Sequence, residues 1–570
     1  MTSGIMSLQF QSRRSPVLGV NGAVACTQPL AAQIGLDILK HGGNAADSAV
    51  AMAAALNVTE PASTGIGGDC FCLFYNASSK KVESINGSGR APGALSLDHI
   101  QKAAFHENGS LPHHHALNVT VPGAAAGWID TLERFGSKKL SVGDILQPAI
   151  TLATEGFPVA PVSALQWQAD VNKLTRKENP HGGDMLLNGN PPKAGELMKM
   201  PHLAHTFQEL VLKGKKGFYE GPIAEAIVDT VQAGGGVMTL DDLKNHTSSY
   251  EDPIHTTYKG TTVWECPPNG QGITALMALS ILEKADLKGL EPTSPKYIHL
   301  VAEALKLSFA DSLQYCADPS VVKVPVEGLL SKKYASSRFQ LIYPELASKG
   351  VSFGEPSLEG DTVYFCVVDG EGNACSFINS NYEGFGTGLV PKNCGFTLQV
   401  IIQSKSRGAN FKIQKDHPNC PAGYKRPYHT IIPSMLTRPE DGALLAAYGV
   451  MGGFMQPQGH VQVVMNMVNF GMDPQTALDQ PRLHVGVSQD GVEGTLFLEE
   501  GFPSETLTSL ANMGHNVKGP VGGLGRAIFG RGQIITRGDW WAEPGRTTST
   551  NENVLWAGSD PRADGMALSY

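Results

Sequence analysis

The order of elements along the chain predicts a layered α/β fold with a largely antiparallel sheet. Three observations carry this. Strand-like stretches open the chain, a long helical middle follows, and strands return after residue 361, with no regular alternation of strand and helix. An apolar, strand-like run from Thr362 to Val368 meets the turn Asp369-Gly370-Glu371-Gly372-Asn373 and a returning run Ala374–Asn379, which together read as a β-hairpin. The 65 glycines gather in loops, as in a sheet-rich globular protein with close backbone approaches.

Taken in order, Val17–Cys26 reads as a glycine-punctuated strand pair. Pro29–Lys40 has helical spacing, and His41-Gly42-Gly43 stops it. Asn44–Asn57 is alanine-rich and nearly all apolar, so it predicts a buried helix whose Asp47 must be hydrogen-bonded. Gly65-Ile66-Gly67-Gly68-Asp69 is a glycine loop, but it leads into the strand Cys70–Tyr75 and no Walker lysine follows, which argues against a nucleotide phosphate. Val121-Pro122-Gly123-Ala124 opens a helix that runs through Trp128, and residues 142–165, 200–233 and 239–244 look mostly helical. Thr262–Glu265 is a strand, Pro267–Gly272 a loop, and Ile273–Lys284 and Tyr297–Cys316 are helices. Past the hairpin, the strand Ala443–Tyr448 ends in Gly449-Val450-Met451-Gly452-Gly453, and His460–Asn469 is a helix.

At 570 residues the chain can bury a large core, and no Pro/Ser-rich linker or charge block divides it. With 44 basic and 53 acidic residues and no basic stripe, it carries no footprint for nucleic acid or an anionic membrane surface. No apolar run reaches membrane-spanning length, and Met1–Ser15 lacks the apolar core of a secretory signal, so a cytoplasmic protein is expected. Nine scattered cysteines form no C-x-x-C pair and no zinc-ligand spacing. His113-His114-His115 are adjacent on a loop and cannot easily converge on one ion, so neither a metal nor a cofactor is expected.

The chemical interest lies at the entrance of the first hairpin strand. A threonine becomes a nucleophile when a base takes its proton, and an N-terminal threonine carries that base as its own α-amine, which titrates at about 7.7–8.0. Thr362 would gain such an amine only after a cut between Asp361 and Thr362. From the hairpin alone, an ordinary strand threonine is the plainer reading.

The motifs His41–Asp47, Gly65–Gly68, Val121-Pro122-Gly123 through Trp128, Pro268-Asn269-Gly270-Gln271-Gly272 and Ser559-Asp560-Pro561-Arg562 together resemble those of the γ-glutamyltransferase (γ-glutamyltranspeptidase, glutathione hydrolase) family. The resemblance implies the N-terminal-nucleophile hydrolase fold, a four-layer αββα sandwich. It implies a proenzyme that cuts itself between Asp361 and Thr362 into a large chain (1–361) and a small chain (362–570), packed as one unit, with a dimer of these units as a further expectation. It implies an acyl-enzyme on Thr362, resolved by water or an amine acceptor. By the same resemblance Ser380 supplies a second hydroxyl, Gly452 and Gly453 offer an oxyanion pair of backbone N–H groups, and Arg90 holds the donor's carboxylate. Tyr382, Arg407, Asn410 and the pair His429-Thr430 occupy the remaining substrate-site positions, where the family uses asparagine, glutamine, aspartate and paired serines. These departures, with the extra segment Val400–Ser406, point to the signal-less, acylase-like branch and to γ-glutamyl or glutaryl-type amides. Two other readings stay open: a non-catalytic homologue kept as a binding or scaffold protein, and a metallohydrolase built on His113–His115.

Overall fold

The computed structural model describes residues 14–570, apart from 107–110, 113, 349–360, 401–410, 413, 487–493, 544–545 and 550. Its main strands are β1 Val17–Gly19, β2 Ala23–Cys26, β3 Asp69–Asn76, β4 Lys81–Gly87, β5 Ile254–Tyr258, β6 Thr261–Glu265, β7 Asp361–Val368, β8 Ala374–Tyr382, β9 Ser434–Thr437, β10 Leu444–Met451, β11 Arg531–Arg537, β12 Leu555–Ser559 and β13 Met566–Ser569. They form a six-stranded sheet, β13-β2-β7-β8-β3-β4, and a seven-stranded sheet, β1-β12-β11-β10-β9-β6-β5. Every pairing in both is antiparallel.

The period-two alternation of β7 shows how the layers stack. Tyr364, Cys366 and Val368 point into the space between the sheets, where they join Phe71 and Ile378 of the same sheet and Met435, Ala447 and Ile535 of the other. Val363, Phe365 and Val367 point the opposite way, into a core made with helices α1 Pro29–Lys40, α2 Ala45–Thr59, α3 Ala124–Phe135 and α4 Val142–Glu155. Helices α5 Gly272–Leu282, α6 Pro295–Tyr315 and α7 Met455–Phe470 cover the outer face of the seven-stranded sheet. The result is the four-layer αββα sandwich.

Helix α2 is buried along its whole length, as its alanine-rich composition requires. Asn44 caps it, and the Asp47 carboxylate accepts the Asn44 N–H at 3.0 Å and the Ser137 N–H at 3.1 Å, so the buried acid is paid for by backbone donors. The first strand pair differs from the sequence expectation. β1 pairs with β12 in one sheet and β2 with β7 in the other. The amides of Val20 and Asn21 both donate to the Tyr570 carbonyl, at 3.1 and 2.8 Å, so the intervening turn crosses between sheets instead of closing a hairpin. Helix α7 begins at Met455, five residues earlier than its apolar spacing suggests, immediately after the Gly452-Gly453 turn.

Candidate active site

Thr362 lies near the head of β7, 1% exposed, with its Oγ1 2.9 Å from Ser380 Oγ on β8. The hairpin register explains the meeting. Asn379 faces Val363, but Tyr382 faces Asp361, so β8 carries one extra residue opposite Thr362. This β-bulge turns the strand and brings the Ser380 hydroxyl round to Thr362. Ser380 Oγ also accepts the Tyr382 N–H at 2.8 Å, and Tyr382 closes the bulge at φ +77°. The loop Gly65–Gly68 packs against the back of the bulge. A Cβ on Gly68 would sit 2.1 Å from the Ser380 carbonyl oxygen, so only glycine allows that approach. Asn379 fixes the base of the bulge, accepting the Trp128 indole N–H at 2.9 Å and donating to the Gly65 carbonyl at 3.0 Å.

One strand away, Asp69 pairs with Ser380 across β3 and β8 and is fully buried. Its Oδ1 accepts the amides of Gly89 and Gly123 at 2.8 and 3.0 Å and the Gln399 side-chain N–H at 2.9 Å. Its Oδ2 lies 3.0 Å from His429 Nε2. Ile431 N–H donates to His429 Nδ1 at 3.4 Å, so the imidazole carries its proton on Nε2 and gives it to Asp69. One carboxylate therefore gathers the 88–90, 121–123, 399 and 428–431 segments around the Thr362–Ser380 pair. Sequence reasoning passed over Asp69 and Gln399. Asp69 ends the glycine loop, and that position was the available signal, whereas Gln399 sits in a stretch with no motif.

The second sheet supplies the glycine pair. β10 ends at Met451, Gly452 takes φ +124° and Gly453 φ +55°, and α7 starts two residues later. Gly452 O accepts the Met455 N–H at 2.9 Å and Gly453 O the Gln456 N–H at 3.2 Å. The two glycine amides make no backbone hydrogen bond among the described residues, and they stand at the positive end of a 16-residue helix. Backbone N–H groups and a helix N-terminus are both suited to stabilise an oxyanion.

The remaining expected residues fall in different settings. Thr430 is buried, and its carbonyl accepts the Gln271 side-chain N–H at 2.6 Å. His429 has both ring nitrogens engaged inside the protein, as above. Tyr382 is buried against Val400, and burial pushes its phenol pKa upward. Arg90 is half-buried and donates to the Thr247 carbonyl at 3.0 Å. Arg426 is buried beside it. It donates to the same Thr247 carbonyl at 3.3 Å and to Ser88 O at 3.0 Å. Burial, then the neighbouring Arg90 charge, lowers the Arg426 pKa to about 10. Arg407, Asn410 and residues 401–406 of the extra segment lie outside the described residues, as does His113. His115 caps a turn, accepting the Leu117 N–H at 3.1 Å.

Among the described residues, His299, Glu303 and His515 are close enough together to hold a metal ion. The Lys306 ammonium stands there instead, 2.8 Å from Glu303 Oε1 and 3.3 Å from His515 Nδ1. No described helix is long and apolar enough to cross a membrane.

The gamma-glutamyltranspeptidase family model matches residues 31–570. The chain belongs to the gamma-glutamyltranspeptidase family. It is 33% identical over 554 residues to a glutathione hydrolase-like YwrD proenzyme of Bacillus subtilis (strain 168), covering 97% of this chain and 99% of that protein. It is 31% identical to the acylase ACY 1 proenzyme of Pseudomonas sp. (strain V22), covering 96% and 97%. A cephalosporin acylase from Bacillus halodurans superposes with a TM-score of 0.86 at 38% identity, over 100% of this chain and 99% of that one. Within this gamma-glutamyltranspeptidase fold, the Thr362–Ser380 bulge and the Gly452-Gly453 turn come from different sheets, and the two-sheet stack holds them.

Proposed function

We propose that the protein is a self-processing N-terminal-threonine amidohydrolase and acyltransferase acting on γ-glutamyl or glutaryl-type amides. In maturation, Thr362 Oγ attacks the Asp361 carbonyl carbon, the Asp361–Thr362 C–N bond breaks, and an ester forms. Water hydrolyses that ester to a carboxyl at Asp361 and a free α-amine on Thr362. The products are chains 1–361 and 362–570, held together by the β7–β2 and β8–β3 ladders. In turnover the α-amine takes the Thr362 hydroxyl proton as Oγ attacks the amide carbonyl. The Gly452 and Gly453 amides meet the developing oxyanion, and the amine leaves with the transferred proton. Water or an amine acceptor then releases the acyl group.

The observation that carries this reading is the buried Thr362–Ser380 hydroxyl pair at 2.9 Å, at the head of the strand where the cut would free an amine. Family membership supports the reaction type. Relatives named glutathione hydrolase-like and acylase support amides of short diacids as substrates. The test is release of the aniline from γ-glutamyl and glutaryl anilides, with the intact mass of the small chain followed in the same samples. We expect a transient mass increase of one acyl group on residues 362–570. Turnover without any acylated small chain would reject the reading.

A further inference from the structure

The Gly452-Gly453 turn takes two positive φ angles, a conformation that glycine reaches easily and leaves as easily. The last turn of backbone before α7 therefore needs an external lock if its amides are to stand preorganised. One side chain is placed to supply it. Gln271 lies at the start of α5, fully buried. Both of its Nε2 protons are engaged, one by the Gly453 carbonyl at 2.9 Å and one by the Thr430 carbonyl at 2.6 Å. Its Oε1 accepts the Tyr428 O–H at 3.0 Å, and its backbone N–H donates to His429 O at 2.9 Å. The Tyr428 ring in turn stacks beside Phe454, the residue after the glycine pair, at 6.1 Å between centroids.

From this geometry we infer that Gln271 is a positioning residue that locks the Gly452-Gly453 turn to the 428–430 segment and so holds the oxyanion-binding amides in register with Thr362. It acts through the glycines and touches no reacting atom. It also joins the two sides of the Asp361–Thr362 bond, since Gln271 precedes that bond and all of its partners here follow it. The inference rests on the acyl-transfer reading above, and it adds a residue which that reading does not use. The chemistry demands an amide at this position. Leucine has no donor. A carboxylate would turn acceptor oxygens toward two carbonyl oxygens, and asparagine keeps both N–H groups but falls one methylene short.

The test uses Q271L, Q271E and Q271N in the full chain, with steady-state kinetics on a γ-glutamyl anilide and the acyl mass on Thr362 as a separate readout. Because the oxyanion is bound only as the barrier is crossed, kcat should fall about 10–100-fold in Q271L while KM stays within about twofold. Q271N should fall between Q271L and the parent. It also keeps the test open if Q271L fails to mature. Q271E should recover kcat relative to the parent as the pH is lowered from about 8 to about 5, because only the protonated carboxyl can donate. A merely structural role would not produce that recovery. Parental kcat in both Q271L and Q271E, or a rise in KM alone, would overturn the inference. If Thr362 is acylated and the variants behave so, only the inference fails; if Thr362 is never acylated, the reading beneath it fails.

Discussion

Two buried carboxylate centres in this molecule are built in opposite ways. At the C-terminal end, Asp560 and Glu499 are surrounded by guanidinium groups. Arg482 reaches Asp560 at 2.6 Å, Arg526 reaches Glu499 at 2.6 Å, and Arg562 binds both, with its Nε 2.7 Å from Glu499 and its Nη1 3.0 Å from Asp560. Burial raises the Asp560 carboxyl pKa, but the Arg482 and Arg562 charges outweigh it and hold the group below the ordinary carboxylate range. Glu499 is lowered in the same way, burial being outweighed by Arg562 first. At the candidate site, Asp69 is as deeply buried but takes its hydrogen bonds from two backbone amides, a glutamine and a histidine ring. The arginine-rich centre spends its charge on closing the fold: Arg562 also ties down the Leu478 and Gln480 carbonyls. The Asp69 centre sets loops whose hydroxyls and amides can do acyl-transfer chemistry. Asp560 and Arg562, which stand in the Ser559–Arg562 motif, brace the fold through these contacts, whereas the groups proposed to react are a threonine, a serine and two glycine amides.

The largest effect is expected at Thr362. T362A should lower aniline release by roughly 10⁴-fold or more, with the far-ultraviolet circular dichroism unchanged. Retained activity would place the chemistry elsewhere. Next comes the arginine centre. R562M leaves Glu499 and Asp560 short of their shared cation, so urea unfolding should show a loss of about 3–5 kcal/mol, while kcat of the folded fraction stays near parental. A selective loss of kcat would erase the division between scaffold and site. S380A removes one hydroxyl from the pair and should cost roughly 10–100-fold in kcat with little change in unfolding midpoint. The smallest effect per residue is on pH. Burial lowers the pKa of His246 and His515 to about 3 and of His484 to about 4, with nearby cations adding to the effect at His246 and His515. Each folded-state pKa lies below the unfolded value of about 6.5, so the stability is full above about 6.5 and is lost as the pH falls toward the folded values. The melting temperature should drop between about pH 7 and 5, on the order of 1 kcal/mol per histidine. A flat profile would mean these rings are solvated.

Much of the fold was legible because periodicity and stop signals agree: Pro29–Lys40 is the helix its spacing describes, and Thr362–Val368 with its glycine turn is the hairpin. What local patterns do not encode is partner choice. The short strands on either side of Gly22 separate into different sheets because Tyr570, at the far end of the chain, takes the amides between them. At the site, Thr362, Ser380 and the glycine pair were pointed to by the family resemblance and not by local pattern. The bulge that delivers Ser380 was not legible, since a single extra residue in β8 leaves no signature until the partner strand is laid beside it. Gln271 stood in the Pro268–Gly272 motif, but nothing in its neighbours says that its amide spans two carbonyls more than 150 residues away.

In the proposed maturation, Thr362 makes itself the N-terminal residue of the catalytic chain. Intact mass of the purified protein under denaturing conditions tests it most directly, with T362A beside the parent. The parent should give chains 1–361 and 362–570, and T362A one uncut chain. A parent that stays whole, or a T362A chain cut at the same bond, would contradict it.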